Sequence, residues 1–194
     1  MKRLIAAFIG AALHTVGLAG PFGLEMGMTV KDLQAVTPLR SDGLFRFTTK
    51  SPPNGHPDLV DYGLTVTPVH GLCKISASTA VIPTGADGAE LQSAFNRFYG
   101  ILTKRYGTSK RYDNLRSESS LIKPDDWMMA LRKKDRTLVA YWIGQELQLP
   151  DDISGVMLET VAAGPSSGFI YLTYEFKNSI DCLEWIQVRK ANQL

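Results

Sequence analysis

Two alternating apolar and polar stretches, separated by a His-Gly step, constrain the fold more than any other feature of the sequence. Residues 60–67 place Val, Tyr, Leu and Val at every second position, with Asp, Gly, Thr and Thr between them. After His70-Gly71, residues 73–81 alternate in the same way. Strict alternation is typical of strands with one buried face, and two such runs across a short turn predict a β-hairpin. The alternation places Cys73 on the apolar face and His70 at the exposed tip.

The rest of the chain adds helices and further strands. Helical periodicity and capping residues predict helices over 29–37, 88–106 and from Asn178 onward, with a short helix favoured near 125–131. The apolar stripe of the long helix predicts a core position. Further strands are predicted at 43–49, 138–143, 156–161 and 169–176, whereas 108–124 is polar and predicts irregular structure.

The order of these elements predicts an α+β fold. It is α-β-β-β followed by α-(α)-β-β-β-α, which suggests two related α-β-β-β halves, a pseudo-duplication. Because hairpins dominate, we expect an antiparallel sheet built from hairpins with helices packed on one face. No Pro- or Ser-rich linker separates the halves, so residues 20–194 are expected to form a single α+β domain.

Residues 1–19 have the layout of a cleavable secretory signal peptide. Lys2 and Arg3 precede an apolar stretch at 4–13, and small residues lead up to a cleavage position after Ala19. The alternative is a membrane anchor, but the apolar stretch is shorter than the roughly 20 residues that a span needs. We therefore expect a periplasmic or secreted protein with no stable membrane insertion after signal cleavage.

The charge balance argues against nucleic acid as a partner. The chain has 21 basic and 19 acidic residues, and removal of Lys2 and Arg3 leaves 19 of each, so the expected mature protein is formally neutral. The charges are nevertheless segregated along the sequence. They form either two solvated faces or a surface that steers another protein toward the molecule. Under the second interpretation, the partner-binding residues are Lys104, Arg105, Lys110, Arg111, Glu146, Asp151 and Asp152.

The two cysteines are predicted to form a disulfide. An oxidising compartment favours pairing over free thiols, and Cys73 and Cys182 allow one intramolecular pairing. Closing a loop on the order of 100 residues restricts the unfolded chain by about 4.7 kcal/mol in the chain-entropy description. The alternative is a Cys73 nucleophile activated by His70, but strand alternation points these two side chains apart.

No strong enzyme signature stands out elsewhere. The segment GPSSG at 164–168 matches the G-x-S-x-G pattern, but it joins two predicted strands rather than a strand and a helix, so it indicates a turn. His56 has two aspartates nearby, but structural zinc requires four protein ligands, chiefly nitrogen or sulfur. The sequence therefore predicts no cofactor, no metal and no enzymatic activity, with a hydrolase based on Ser166 or His70 as an alternative.

Residues 22–36, FGLEMGMTVKDLQAV, place Gly27, Met28 and Thr29 directly before a predicted helix. This opening resembles that of small exported envelope proteins, the outer-membrane assembly lipoproteins of SmpA/OmlA type and the β-lactamase-inhibitor-like proteins. The long helix ends in Tyr106-Gly107, which is similar to helix ends in such proteins. The lipid-attachment cysteine of the first family is missing. The resemblance implies a short helix packed on an antiparallel sheet, and a non-enzymatic role in inhibiting or assembling with another protein.

These observations favour an exported, non-enzymatic protein-binding module. In line with what the resemblance implies, the form that we expect is an inhibitor or a toxin-neutralising immunity protein. A sheet pinned by a disulfide would present a preorganised surface and so lower the ordering cost of binding. An envelope assembly or maintenance factor is the alternative, and a hydrolase is the second alternative.

Overall fold

The computed structural model describes residues 20–144, 147 and 149–191, so the predicted signal peptide and Glu146 lie outside it. The described residues form four α-helices: α1 (Val30–Val36), α2 (Ala89–Tyr106), α3 (Trp127–Arg132) and α4 (Ser179–Ala191). They also form nine strands: β1 (Arg40–Ser41), β2 (Arg46–Thr49), β3 (Leu59–Thr67), β4 (Gly71–Thr79), β5 (Ile82–Pro83), β6 (Lys110–Leu115), β7 (Arg136–Ile143), β8 (Ile153–Gly164) and β9 (Ser167–Phe176).

The nine strands of the described residues belong to one antiparallel sheet, which confirms the predicted α+β class. The strand order is β1-β2-β3-β4-β9-β8-β7-β6, and the short β5 pairs with the start of β9. The sheet thus consists of two four-stranded meanders, β1–β4 and β6–β9, which meet where β4 pairs with β9. α1 precedes the first meander and α2 precedes the second. The predicted plan of two related halves is therefore visible in the connectivity.

Strand β6 differs from the sequence prediction, which gives irregular structure over 108–124. Residues 110–115 pair in register with β7 and form one edge of the sheet. All of them except Leu115 are exposed to solvent. Because both faces of this edge strand are wet, its sequence lacks the apolar alternation that marks a half-buried strand.

α2 forms the main part of the layer that covers the sheet. Its buried residues recur at helical spacing and pack toward β8 and β9, as predicted for a core stripe: Leu91, Ala94, Phe95, Phe98, Leu102 and Tyr106. Leu33 of α1 and Met128 of α3 are buried in the same cluster. Side chains from both meanders contribute to this one continuous core.

The segment before α1 is fixed to the β3–β4 hairpin. The backbone N–H of Gly27 donates to the carbonyl oxygen of Leu72 (2.9 Å), and the N–H of Leu72 donates to the carbonyl oxygen of Met28 (2.8 Å). Thr29 then caps α1, because its hydroxyl accepts from the N–H of Asp32 while the Asp32 carboxylate accepts from the N–H of Thr29. The predicted capping box is confirmed.

A disulfide joins Cys73 of β4 to Cys182 of α4 and confirms the predicted pairing. The two residues lie 109 positions apart in the sequence, and their Cα atoms are 6.4 Å apart. Cys73 is the extra residue of a β-bulge, because Thr65 pairs with Lys74 while Val66 already pairs with Leu72. The bulge turns Cys73 away from the apolar face, where simple alternation predicts it, and toward α4.

The position of α4 differs from the expectation that the helices share one face. α1, α2 and α3 contribute to the core on one side, whereas α4 lies on the opposite side, which we call the outer face. Leu183 and Ile186 of α4 border a groove there with Thr65 and Lys74. Of the α4 residues, Ser179 and Cys182 alone are buried. A helix with so little buried surface depends strongly on its disulfide for its position.

Candidate protein-binding surface

The outer face of the sheet is covered over its first half only. α4 packs on β3 and β4 and reaches as far as Tyr171 on β9, and no helix of the described residues covers the rest of the outer side of β6–β9. We call this uncovered area the open face. Its residues alternate with buried core residues such as Ala140, Leu158 and Leu172 and therefore point outward. They are Lys110, Tyr112, Val139, Tyr141, Ile143, Met157, Glu159, Val161, Phe169, Tyr171, Thr173 and Glu175.

The open face is rich in apolar and aromatic side chains. Ile143 is 46% exposed and Tyr112 is 42% exposed. The rings of Tyr112 and Tyr141 pack edge to face, with their centroids 6.2 Å apart. The corresponding outer positions of β3 and β4 are instead small or polar: Gly63, Thr65, Lys74, Ser76 and Ser78. The more apolar half of the outer face is therefore the half without a covering helix.

A shallow depression of ≈ 250 Å³ lies in the open face at Gly155, which supplies no side chain to fill it. Ile143 and Met157 form its apolar wall, and Lys74 and Glu175 border it on the other side. The Lys74 ammonium donates to the Glu175 carboxylate at 3.2 Å. A shallow site of this kind suits one side chain of a protein partner better than a small molecule, which usually binds in a deeper cleft.

Glu159 lies inside the open face among apolar neighbours. Across the strands it pairs with Val139 on β7 and with Tyr171 on β9. Within the described part of the chain, no basic side chain forms an ion pair with its carboxylate. Burial raises the pKa of the Glu159 carboxyl above its usual value, and the nearby Lys74 ammonium partly opposes this rise. The open face thus contains a half-buried carboxylate that lacks a paired countercharge.

Several of the charged residues predicted to bind a partner instead form ion pairs with other residues of the same chain. Arg105 at the end of α2 pairs with Asp151 at 3.2 Å, and the Asp151 side chain is 7% exposed. Asp152 pairs with Lys177 at 2.9 Å. The basic and acidic segments therefore neutralise each other in part, which weakens the field that either could project toward a partner.

The other predicted charges are distributed over different surfaces. The Arg111 guanidinium lies over the rings of Phe95 and Tyr99, 5.3 and 5.2 Å from their centroids. Lys104 is exposed on α2. Lys110 pairs across strands with Tyr141 and lies at the edge of the open face. Of the predicted partner-binding residues that the structure describes, Lys110 alone is brought to the open face.

The candidates for nucleophilic chemistry are separated or blocked. His70 lies in the β3–β4 turn and Ser166 in the β8–β9 turn, and these turns are at opposite ends of the sheet because β4 and β9 are antiparallel. A Ser166–His70 pair is therefore excluded. Cys73 is held in the disulfide and offers no thiolate. In the ranges that the structure describes, no group of three or more His, Cys, Asp or Glu side chains is placed to hold a metal ion.

Comparisons with protein-family models, with curated proteins and with solved structures found no match to this chain. The resemblance to the SmpA/OmlA and β-lactamase-inhibitor-like proteins therefore stays a prediction. Among the helices of the described residues, none is both long enough and apolar enough to cross a membrane.

Sequence reasoning did not single out the open face, although a signal for it was present. In the strands of the second half, the positions between core residues are themselves apolar or aromatic, for example Tyr141, Met157 and Phe169. The equivalent positions of β3 are Asp61, Gly63, Thr65 and Thr67. Strands that are apolar on both faces usually have both faces covered. Here the structure covers one of them.

Proposed function

We propose that this protein is an exported, non-enzymatic protein-binding module and that the open face is its binding surface. The observation that supports this proposal most strongly is the combination of apolar and aromatic side chains on a sheet surface without a covering helix. Contiguous apolar patches of this kind are uncommon on monomeric soluble proteins, and larger ones commonly mark interaction sites. Tyrosine and methionine, both present on the open face, are enriched at protein interfaces.

The form of this function that we favour is an inhibitor or a toxin-neutralising immunity protein. The binding side chains project from a continuous antiparallel sheet rather than from loops, so little of their freedom remains to be lost on association. A partner would bury Tyr141, Met157 and Tyr171 at the centre, with Lys110 at the rim, where a charge chiefly affects the rate of encounter. Export rests on the signal-peptide layout of residues 1–19.

Site-specific photo-crosslinking in the native cells tests the location of the binding surface. A photoreactive phenylalanine derivative at Tyr141 should cross-link one defined protein. The same group at Val69, which is 65% exposed in the β3–β4 turn, should not cross-link that protein. Equal cross-linking from both positions would contradict the assignment of the open face.

Affinity measurements with the purified, cross-linked protein complete the test. Met157→Asp should weaken binding at least about tenfold, because it places an unpaired charge in a surface that becomes desolvated. Val69→Asp is the matched control and should bind as the wild type does. Loss of the partner's own activity in the complex would identify an inhibitor, and unchanged affinity of Met157→Asp would rule out the open face.

A further inference from the structure

The surroundings of Glu159 combine a carboxylate with aromatic rings. Tyr171 is its direct neighbour on β9, and direct cross-strand neighbours have Cβ atoms about 4.5–5.5 Å apart. Tyr141 on β7 and Phe169 on β9 lie diagonally to it, within reach of long and aromatic side chains. A carboxylate bordered by aromatic rings attracts ammonium and guanidinium groups through both its charge and the faces of the rings.

The basic groups nearest to Glu159 along the sheet are occupied or distant. Lys74 on β4 pairs with Glu175 on β9 at 3.2 Å. Lys110 on β6 lies two strands away, in the row of Tyr141. Neither of them forms an ion pair with Glu159 among the described residues. The sheet itself therefore leaves this carboxylate without a direct partner.

The end of the sheet beside α3 carries further cations, which serve other contacts or face solvent. Arg136 pairs with Asp113 and lies over the Trp127 ring. A second depression, separate from the one at Gly155, is lined by Glu159 together with Arg132 and Lys134, and both of these basic residues are exposed to solvent. In the described structure none of the three is paired with Glu159. Since none of these cations pairs with Glu159, a cation from outside the molecule could pair with its carboxylate.

We propose that Glu159 is the recognition point for a cationic side chain, an arginine, of the protein that binds the open face. This inference rests on the proposed function. Arginine suits the site better than lysine, because a planar guanidinium can stack on a tyrosine ring while it donates two hydrogen bonds to a carboxylate. The partner would thus supply the countercharge at Glu159 and remove the cost of holding that charge half-buried and unpaired.

Selection of peptides on the purified protein tests this assignment directly. A phage-displayed library of random heptapeptides, selected near pH 7 on the wild type, should yield open-face binders that carry Arg at a fixed position. Synthetic copies should bind Glu159→Gln at least tenfold more weakly. They should bind Glu184→Gln, a matched change on the exposed side of α4, as strongly as the wild type. Replacement of the Arg by neutral citrulline should cost wild-type affinity to a similar extent.

The pH dependence provides a readout that a purely structural role of Glu159 would not produce. Because burial raises the pKa of Glu159, acidification should release the peptide from the wild type as this carboxyl takes up its proton. The weakened binding to Glu159→Gln should show no such step. Circular dichroism of both variants checks that the fold is unchanged.

The outcomes separate this inference from the proposed function. One contrary result is a set of selected peptides that lose affinity for Met157→Asp and yet contain no basic residue. Another is a set that loses affinity for Met157→Asp but binds Glu159→Gln as well as the wild type. Either result overturns the cation site but keeps the open face as the binding surface. Peptides that depend on neither Met157 nor Glu159 count against both. Light scattering over a range of protein concentrations tests a second copy of the chain as the occupant. A dimer that Glu159→Gln dissociates would assign Glu159 to self-association and overturn the proposal.

Discussion

Glu159 illustrates how a single residue on the proposed binding surface can reduce the stability of the fold that carries it. Its carboxyl is half-buried beside Val139 and Tyr171, and burial raises its pKa above the ordinary glutamate value of 4.5. The folded protein therefore holds this proton more tightly than the unfolded chain does. In the pH range just above 4.5, the folded state binds more protons, so this group makes stability fall as the pH rises.

We predict that Glu159→Gln is more stable than the wild type at neutral pH. The gain should be less than about 1 kcal/mol because the carboxyl is partly solvated, which corresponds to a rise in Tm of no more than about 2–4 °C. At about pH 3, well below the ordinary value of 4.5, the carboxyl is protonated in the folded and the unfolded chain alike, so the difference should become small. Thermal unfolding at both pH values measures this, with Glu184→Gln as control. A wild type at least as stable as the variant at neutral pH would contradict it.

Gly71 is a residue whose role is set by backbone geometry. Its φ is +65°, and a Cβ there would overlap the carbonyl oxygen of Gly27. We therefore expect Gly71→Ala to lose at least about 2 kcal/mol of unfolding free energy, through strain and loss of the contact between the hairpin and the segment before α1. Gly100→Ala on α2, where a Cβ meets nothing within 4 Å, should instead gain up to about 1 kcal/mol. Urea unfolding of both variants measures the contrast, and equal midpoints would refute it.

At the scale of elements, α4 depends on the disulfide more than the other helices do. Besides the buried Ser179 and Cys182, its contacts include an edge-to-face packing of Trp185 on Phe45, with ring centroids 4.8 Å apart. Asn178, just before the helix, donates its amide N–H groups to the carbonyl oxygens of His70 and Leu72. These contacts bury far less apolar surface than the stripe of α2 does.

We expect the double variant Cys73→Ala, Cys182→Ala to lose about 2–5 kcal/mol of stability, the usual cost of removing a native disulfide from a small domain. At the same time α4 should lose its protection against amide hydrogen exchange while β3, β4 and α2 keep theirs. Hydrogen exchange followed by mass spectrometry measures each segment. Slow amide exchange in α4 of the double variant would show that its other contacts are sufficient to hold this helix on the sheet.

The elements that the sequence predicts best are those with one polar face and one apolar face. β3, β4 and α2 have this character, so their periodicity identifies the type of structure and most of the buried residues. Val60 is an exception, because a register shift between Leu59 and Asp61 leaves it exposed. β6 is not predicted from the sequence because both of its faces are exposed to solvent. The alternation around Cys73 predicts the wrong face of the sheet for this side chain, because a β-bulge shifts the register of the strand there. For α4, periodicity identifies the helix but carries no information about which side of the sheet it packs on.

At the scale of the whole molecule, the pairing of β4 with β9 and the shared core make the two halves depend on each other. Separate fragments 20–86 and 87–194 should each fail to fold, because each would expose the edge of a central strand and part of the core. We expect neither fragment alone to show a cooperative thermal transition, and we expect the full chain to show a single one. Circular dichroism on heating measures this. A cooperative transition in either fragment would show that the halves fold independently.

The overall class could be predicted from the sequence, but the joining of the halves could not. Hairpin signals connect strands that are close in sequence, whereas β4 and β9 pair across more than half the domain without any turn to mark them. The open face was missed for a related reason. Apolar residues such as Met157 and Phe169 indicate that a strand has two apolar faces, but whether the second is covered depends on where a distant helix packs.

The bulge at Cys73 has a consequence for how the molecule folds while its disulfide forms. If β3 and β4 paired without it, Cys73 would point into the core and could not reach Cys182. The Cys182 thiol would then stay unpaired and open to exchange with other thiols or disulfides. Closure of this one covalent bond therefore requires that the hairpin has its native register and that α4 lies on the correct side. Formation of the disulfide would thus distinguish correctly assembled molecules from misregistered ones.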